Sequence, residues 1–346
     1  MKASHISSLS VSLALRTSLA RLQNDLPRLQ TEVVTGKHSD TGLALGAESR
    51  KLAAFKNDIS HIERLIDTNA QVGTRLAMSQ ESMGRLNGLA SELMNSVAIV
   101  MGQEGQDFAA KLTSDSVMEE MTSILNTQVN GVFLFGGVNA SDKPIADYPG
   151  GPMDAAFDAA FVGYFGFTQN DPAAAAISKT DIETFLSTTI EPMFMGADWG
   201  LNLSSATDET QTARISPEVS TSASVSANED AFRRLMMAAV VGAEFFESGL
   251  GGEAMQGASE FVIAQAGASA GALTELQGEV GLVEERVRRA NDRLEVQMTL
   301  LETFAAEMES VDSFEASIEL NTLLTQIETS YSITARIQQL SIMNYV

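Results

Sequence analysis

The sequence predicts a mainly α protein: a long antiparallel helical bundle or coiled coil formed by both chain termini, with a small inserted β-rich (α+β) domain in the middle. Three observations carry this expectation. Apolar residues recur at alternating steps of three and four through both terminal thirds. Six of the seven prolines fall between residues 144 and 217, where that period is lost. The two ends carry opposite net charge. A chain of 346 residues is also more than one small core needs, so two or three domains are expected.

The first helix follows from Leu15, Leu19, Leu22, Leu26, Leu29 and Val33, spaced 4, 3, 4, 3, 4. Pro27 lies inside this seam; an interior proline costs a helix about 3 kcal/mol, so a kink or break is expected there. TGKHSDTGLALG (35–46) has no period and three glycines, and reads as a bend. A second seam runs through Phe55, Ile59, Ile62, Ile66, Asn69 and Leu76, and continues from Met83 to Val100. MGQEGQD (101–107) reads as a turn, and a third helix is expected from about Phe108 to Val129.

The C-terminal third mirrors this pattern. Leu276, Val280, Val283, Val287, Ala290 and Leu294 step by 4, 3, 4, 3, 4, and Met298, Leu301, Ala305 and Met308 continue the seam. Beyond Val311 it passes to Phe314, Ile318, Leu324, Ile327 and Tyr331, giving one very long helix or two in line. The middle contains turn dipeptides such as Pro149-Gly150 and reads as short strands, turns and a little helix. STSASVSANED (220–230) reads as a low-complexity return linker, with Asn228 or Asp230 able to cap the next helix. The resulting division is nested: residues 1–45 with 302–346 form a terminal helical domain, 46–137 with 226–301 a helical bundle, and 138–225 an inserted outer domain.

Charge narrows the function. The formal net charge of −23 weighs against a nucleic-acid partner, which calls for clustered Lys and Arg. Residues 1–75 hold ten Lys and Arg against seven acids, a net of +3; residues 295–346 hold one against eight, a net of −7. Ends of opposite sign are expected to lie side by side. There is no cysteine, so no disulfide, thiolate nucleophile or Cys-type zinc site is possible. LMMAAVV (235–241) is the most apolar stretch and too short to span a bilayer. The N-terminal region lacks the unbroken apolar core of a cleaved signal peptide.

Catalytic constellations are not found. His5, His38 and His61 form no H-E-x-x-H, Gly36-Lys37 lacks the rest of a phosphate loop, and no G-x-S-x-G or G-x-G-x-x-G occurs. No catalytic, cofactor-binding or metal-ligating residue is therefore assigned, and neither a cofactor nor a small-molecule substrate is expected. What remains is physical. IQQLSIMNYV (337–346) places Ile337, Leu340, Ile342, Met343 and Tyr345 at an end that is ordinarily polar. Such a tail is best covered by Ile6, Leu9 and Leu13 of its own chain and by neighbouring copies. With Leu15, Leu19 and Leu22 on one side and Leu324, Ile327 and Tyr331 on the other, these residues form the candidate assembly interface.

A second candidate element is NGVFLFGGVNASDKPI (130–145). Asn130-Gly131 is a hairpin turn signal, Val132 to Phe135 a short strand, and Gly136-Gly137 a place where the chain reverses. Asn130, Gly131, Phe133, Phe135, Gly136 and Gly137 thus mark the entry to the inserted domain.

Taken with the two ends, this stretch resembles the hook–filament junction proteins of bacterial flagella, the FlgL-type (hook-associated protein 3) family within the flagellin superfamily. ESVDSFEASIELNTLLTQIETSYSITARIQQLSIMNYV (309–346) is similar to that family's terminal helix, and the early TGK (35–37) to its hinge; HSDTGLALG is a shorter bend than the family's usual one. The resemblance covers roughly 1–145 and 225–346. It implies a structural, non-enzymatic subunit with paired termini, exported unfolded through the flagellar type III channel without a cleaved signal and located on the extracellular flagellum. The implied partners are flagellin, other hook-associated proteins, further copies of itself in a ring or helical layer, and an export chaperone at the C-terminal region. A flagellin filament subunit is the alternative, because flagellin shares both ends.

Overall fold

A computed structural model describes residues 8–102 and 107–343, with side chains described for 10, 13–101 and 107–336. In chain order the elements are α1 (Ser8–Thr35), α2 (Thr41–Leu45), α3 (Ser49–Gly102), α4 (Asp107–Leu125), β1 (Gln128–Val129), β2 (Val132–Phe133), α5 (Pro152–Phe165), α6 (Lys179–Phe185), α7 (Glu191–Met195), α8 (Asp198–Asn202), β3 (Thr212–Ser216), β4 (Val219–Ser222), α9 (Asp230–Phe245), α10 (Gly252–Glu309) and α11 (Ser313–Met343). The protein is mainly α, with two small antiparallel hairpins, β1–β2 and β3–β4, in its middle. Two compact units are present: residues 1–64 with 295–346, and residues 65–294.

In the first unit α1 packs along α11. Leu29 of the predicted seam is buried, and Leu15, Leu19, Leu22 and Leu26 are half-buried. The helix runs through Pro27 without a break. Packing on α11 on both sides of the proline outweighs the lost backbone hydrogen bond. On α11 the buried and half-buried face is Ala316, Leu320, Leu323 and Ile327; of the expected line Phe314, Ile318, Leu324, Ile327 and Tyr331, Ile327 lies on it and the others are exposed. The observed line steps by 4, 3, 4, whereas the expected line breaks the period with a six-residue step from Ile318 to Leu324.

The two limbs of this unit are interrupted at the same level. The amide of Gly36 donates to the Glu32 carbonyl (2.8 Å), and Asp40 caps α2 by accepting from the Leu43 amide (2.9 Å). Opposite, α10 ends at Glu309, and Asp312 caps α11 by accepting from the Phe314 amide (2.8 Å). The strands between are stitched as an antiparallel bridge. The His38 amide donates to the Glu309 carbonyl (2.8 Å), and the Val311 amide donates to the Gly36 carbonyl (2.9 Å).

In the second unit α9 is the central element. Leu235 through Ala243 are all buried, as expected of a helix apolar on every side. LMMAAVV is therefore a core helix, and no described helix is long and apolar enough to cross a membrane. Close approach of α4 is possible because residue 242 is glycine: a Cβ there would lie 2.2 Å from the Ser114 hydroxyl oxygen. Around α9, Met83, Leu86, Leu93 and Val97 of α3 and Ala258, Val262 and Leu273 of α10 complete the core.

The middle of the chain holds more helix than its prolines suggest. Pro152 stands in the first turn of α5 and Pro172 in that of a short 3-10 helix, positions where a missing N–H costs nothing. Phe157 and Phe161 of α5, Phe185 of α6 and Phe245 of α9 interlock, with Phe161–Phe185 centroids 5.6 Å apart and edge-on. Two expectations need correction. The segment 220–230 is not a loose linker: Val219–Ser222 pairs with β3, and Ala223, Val225 and Ala227 are buried. These alternate with serines at period two, a strand-like signal hidden by low complexity. Nor does Asn228 cap α9. Its Oδ1 accepts from Trp199 Nε1 (2.8 Å) and Ser204 Oγ (2.7 Å), and its Nδ2 donates to the Ala206 carbonyl (2.9 Å). The third helix also stops at Leu125, short of Val129, because Gln128 and Val129 are taken into a hairpin.

Candidate assembly surface

The candidate residues fall into two places. On the terminal arm, Leu15, Leu19 and Leu22 are half-buried in α1 and Ile327 in α11, while Leu13, Leu324 and Tyr331 are exposed. Ile6 and Tyr345 lie outside the described residues, as do the side chains of Leu9, Ile337, Leu340, Ile342 and Met343. The Tyr331 hydroxyl accepts from Gln23 Nε2 (2.7 Å), joining the two helices. Because α11 turns its Ala316–Ile327 line toward α1, a second apolar stripe is left uncovered: Phe314 is 77% exposed and Ile318 51%, with Leu324 and Tyr331 further along. Leu43, which lines a cleft with Glu315 and Glu319, is exposed as well.

The arm is braced at its interruption by Glu309, which is nearly buried. Its carboxylate pairs with Lys37 Nζ (2.9 Å) and with Lys56. Hydrogen bonds from Lys56 first and Lys37 second hold this carboxyl below the usual range. These ion pairs link the N- and C-terminal segments, so oppositely charged groups of the two ends do meet at the interruption. Sequence reading missed Glu309, because a lone acid at the end of a charged helix has no pattern.

The second place is the hairpin at the end of α4. Asn130 and Gly131 have φ of 53° and 78°, the pair of positive values that tight two-residue hairpins favour. Val129 pairs with Val132, and Gln128 with Phe133. Phe133, Leu134 and Phe135 are buried, Phe135 edge-on to Phe232 of α9 at 5.5 Å. Gly136 bridges to Ser226, and the Ala227 amide donates to the Phe135 carbonyl (2.7 Å), so outgoing and returning chains run together here. At Gly137 a side chain would meet Thr207 at 2.4 Å.

Arg75 of α3 fastens this hairpin. Its Nη2 donates to the Phe133 carbonyl (2.8 Å) and its Nη1 to Gln211 Oε1 (2.8 Å). Burial lowers its pKa from the ordinary arginine value. Asn69, one turn and a half earlier, donates through Nδ2 to the Ile215 carbonyl (2.9 Å) and to Asn291 of α10 (2.7 Å). A buried amide in an apolar seam is a register device; here it also anchors β3. Asn69 was legible as the polar member of its seam. Arg75 was not, since its partners lie more than fifty residues away.

One titratable cluster sits where α5 meets α9. The Tyr148 hydroxyl donates to Glu244 (3.2 Å), and Gln169 Nε2 donates to Asp158 (3.2 Å). Burial, then the charge of Asp154, pushes the Glu244 carboxyl up to about 7. Burial first and Glu244 second raise the Tyr148 phenol above its ordinary range. Among the described residues there is no group of three or more His, Cys, Asp or Glu able to hold a metal ion.

The comparisons agree with this layout. Residues 6–140 match the bacterial flagellin N-terminal helical region, and residues 263–346 match the bacterial flagellin C-terminal helical region, together well over half the chain. No curated protein matches in sequence. In structure the chain is similar to a flagellar hook-associated protein of Vibrio parahaemolyticus, with a TM-score of 0.54 and 9% identity, over 76% of this chain and 97% of that one. It is also similar to FlgL of Bacillus cereus, with a TM-score of 0.50 and 10% identity, over 73% of this chain and 99% of that one. At these identities the structural likeness speaks to the fold. With matches to both terminal helical regions of flagellin, the chain belongs to the flagellin superfamily.

Proposed function

We propose that this protein is a hook–filament junction adaptor: a non-catalytic subunit that joins the hook-associated ring to the flagellin filament after type III export. The carrying observation is the arm itself. Helices α1 and α11 form one pair that leaves Phe314, Ile318, Leu324 and Tyr331 exposed, as a subunit that is completed by its neighbours requires. Its partners would be flagellin, other hook-associated proteins and further copies of itself, with an export chaperone covering the C-terminal region beforehand. In this reading residues 1–45 with 302–346 are the inner assembly domain, 46–137 with 226–301 the bundle, and 138–225 the outer domain.

A flagellin filament subunit is the second reading, favoured by the two flagellin regions matched at the chain ends. The VFLFGG entry at 132–137, which resembles the junction proteins, supports the adaptor over it. Deleting the gene separates them. An adaptor's loss leaves hooks without filaments and flagellin shed into the medium. Loss of a filament subunit leaves hooks without filaments and no flagellin in the medium, which would overturn the adaptor reading.

A further inference from the structure

Residues 146–151 form a strap that leads into α5. One end is pinned where the Ile145 amide donates to Asn126 Oδ1 (3.0 Å) and Asn126 Nδ2 donates to the Ile145 carbonyl (2.9 Å). The other end turns at Gly150, whose φ of 73° suits glycine, and its amide donates to Asp154 (2.7 Å). Between the ends lies Tyr148, 2% exposed. Tyr148 and Pro149 line a cleft of about 520 Å³ on one side and one of about 370 Å³ on the other, and Met118 of α4 lines both. The strap thus divides a groove that follows α4 from Lys111 to Asn126. Among the described residues one hydrogen bond ties the strap to α9, from the Tyr148 hydroxyl to Glu244 (3.2 Å).

Glu244 is poorly placed to carry a charge. It stands in the last turn of α9, which holds no basic residue, and a helix dipole disfavours a carboxylate there. The groups around it are mostly acidic. Helix α5 supplies Asp154 and Asp158, the turn after α9 supplies Glu247, and α4 supplies Asp115 and Lys111. That lysine is already paired with Asp115 (2.9 Å). Gln169, which is buried, donates to Asp158 (3.2 Å). The Tyr148 hydroxyl by itself favours a charged Glu244. Burial first and Asp154 second outweigh that bond, and the carboxyl keeps its proton up to about 7. Opening the strap admits water and returns the carboxyl toward its ordinary 4.5.

We propose that the strap is a latch: it divides the groove while Glu244 holds a proton, and swings out about Gly150 when that proton is lost, joining the two clefts. The closed strap holds the proton to about 7 and the open one only to about 4.5. Opening therefore becomes up to about tenfold easier per pH unit between these values, about 300-fold in all, and levels off above them. The joined groove is populated least in acid and most at neutral and alkaline pH.

The test uses full-length protein. Amide exchange at residues 146–158 is followed from about pH 5 to about pH 8 and corrected for the intrinsic pH dependence of exchange. The strap is expected to lose at least about 30-fold in protection over this range, and to exchange at least about tenfold faster than residues 235–243 of α9 at every pH. Glu244→Gln is expected to hold the change within about threefold. A flat wild-type profile, an unchanged slope in Glu244→Gln, or a strap that exchanges only as fast as α9 would overturn the latch. Asp154→Asn provides a second measurement. It keeps an acceptor for the Gly150 amide and removes one repelling charge, so the total loss of protection should shrink by at least about twofold; an unchanged loss counts against the proposal. The chain has no cysteine, so Met118→Cys places a single thiol between the clefts. At about pH 8 this thiol should react with a small neutral reagent at least about tenfold faster than the same thiol in the Glu244→Gln background. Equal rates would overturn the joining of the clefts.

Discussion

Arg75 offers the sharpest test of how the inserted segment is held. Arg75→Met keeps most of the aliphatic stem and removes the guanidinium, and with it two hydrogen bonds of 2.8 Å, to the Phe133 carbonyl and to Gln211. A hydrogen bond from a charged donor is worth about 1.5–3 kcal/mol, and a buried carbonyl left without a donor costs about 1–3 kcal/mol. Relief from desolvating the arginine, which its lowered pKa records, offsets part of this. The net loss expected for the hairpin is about 2–4 kcal/mol. A chain with two compact units has no single unfolding free energy, so the measurement must be local. Amide hydrogen exchange in residues 128–135 should accelerate roughly 30- to 1,000-fold, at about 1.4 kcal/mol per factor of ten. Protection in α10 beyond residue 260 should change little. An acceleration below threefold at 128–135, or an equal one throughout the unit, would refute the account of Arg75 as the fastening of this hairpin.

Two further outcomes are expected. Gly242→Ala forces a Cβ against Ser114 and should weaken the α4–α9 contact by about 1–3 kcal/mol, read as faster amide exchange in both helices, with Ser114→Gly in the same chain restoring part of it. Glu244 holds its proton more tightly when folded, about 7 against an ordinary 4.5, so the folded state binds the extra proton between these values and loses stability as pH rises through them. Glu244→Gln should remove that slope, raising stability at pH 8 by about 1–3 kcal/mol relative to the wild type while changing little at pH 4; parallel pH profiles for the two proteins would count against it.

Much of the architecture was readable because both ends repeat one simple rule. An alternating step of three and four makes a seam whatever its partner, and Leu76, Met83, Leu86, Leu93 and Val97 are buried where that rule places them. In α11 the rule holds for Ala316, Leu320, Leu323 and Ile327, which are buried or half-buried, whereas the line read through Phe314 and Ile318 steps six residues to Leu324 and is exposed there. Pro27 shows a local penalty overridden by packing. The inserted segment was misread in detail because its order comes from distant partners: Asn228 reaches Trp199 and Ser204, Arg75 reaches Phe133, and neither pairing has a sequence period. Asn130-Gly131, by contrast, was legible from two residues, since few other sequences accept positive φ at both.

The reading of this chain as a junction subunit is tested most directly by where it sits. Antibody or gold label directed at an exposed site of the inserted segment, such as Leu201, can be located on intact flagella by electron microscopy. The adaptor account predicts one narrow band at the boundary between hook and filament. Label spread along the whole filament, or absent from the flagellum, would contradict it.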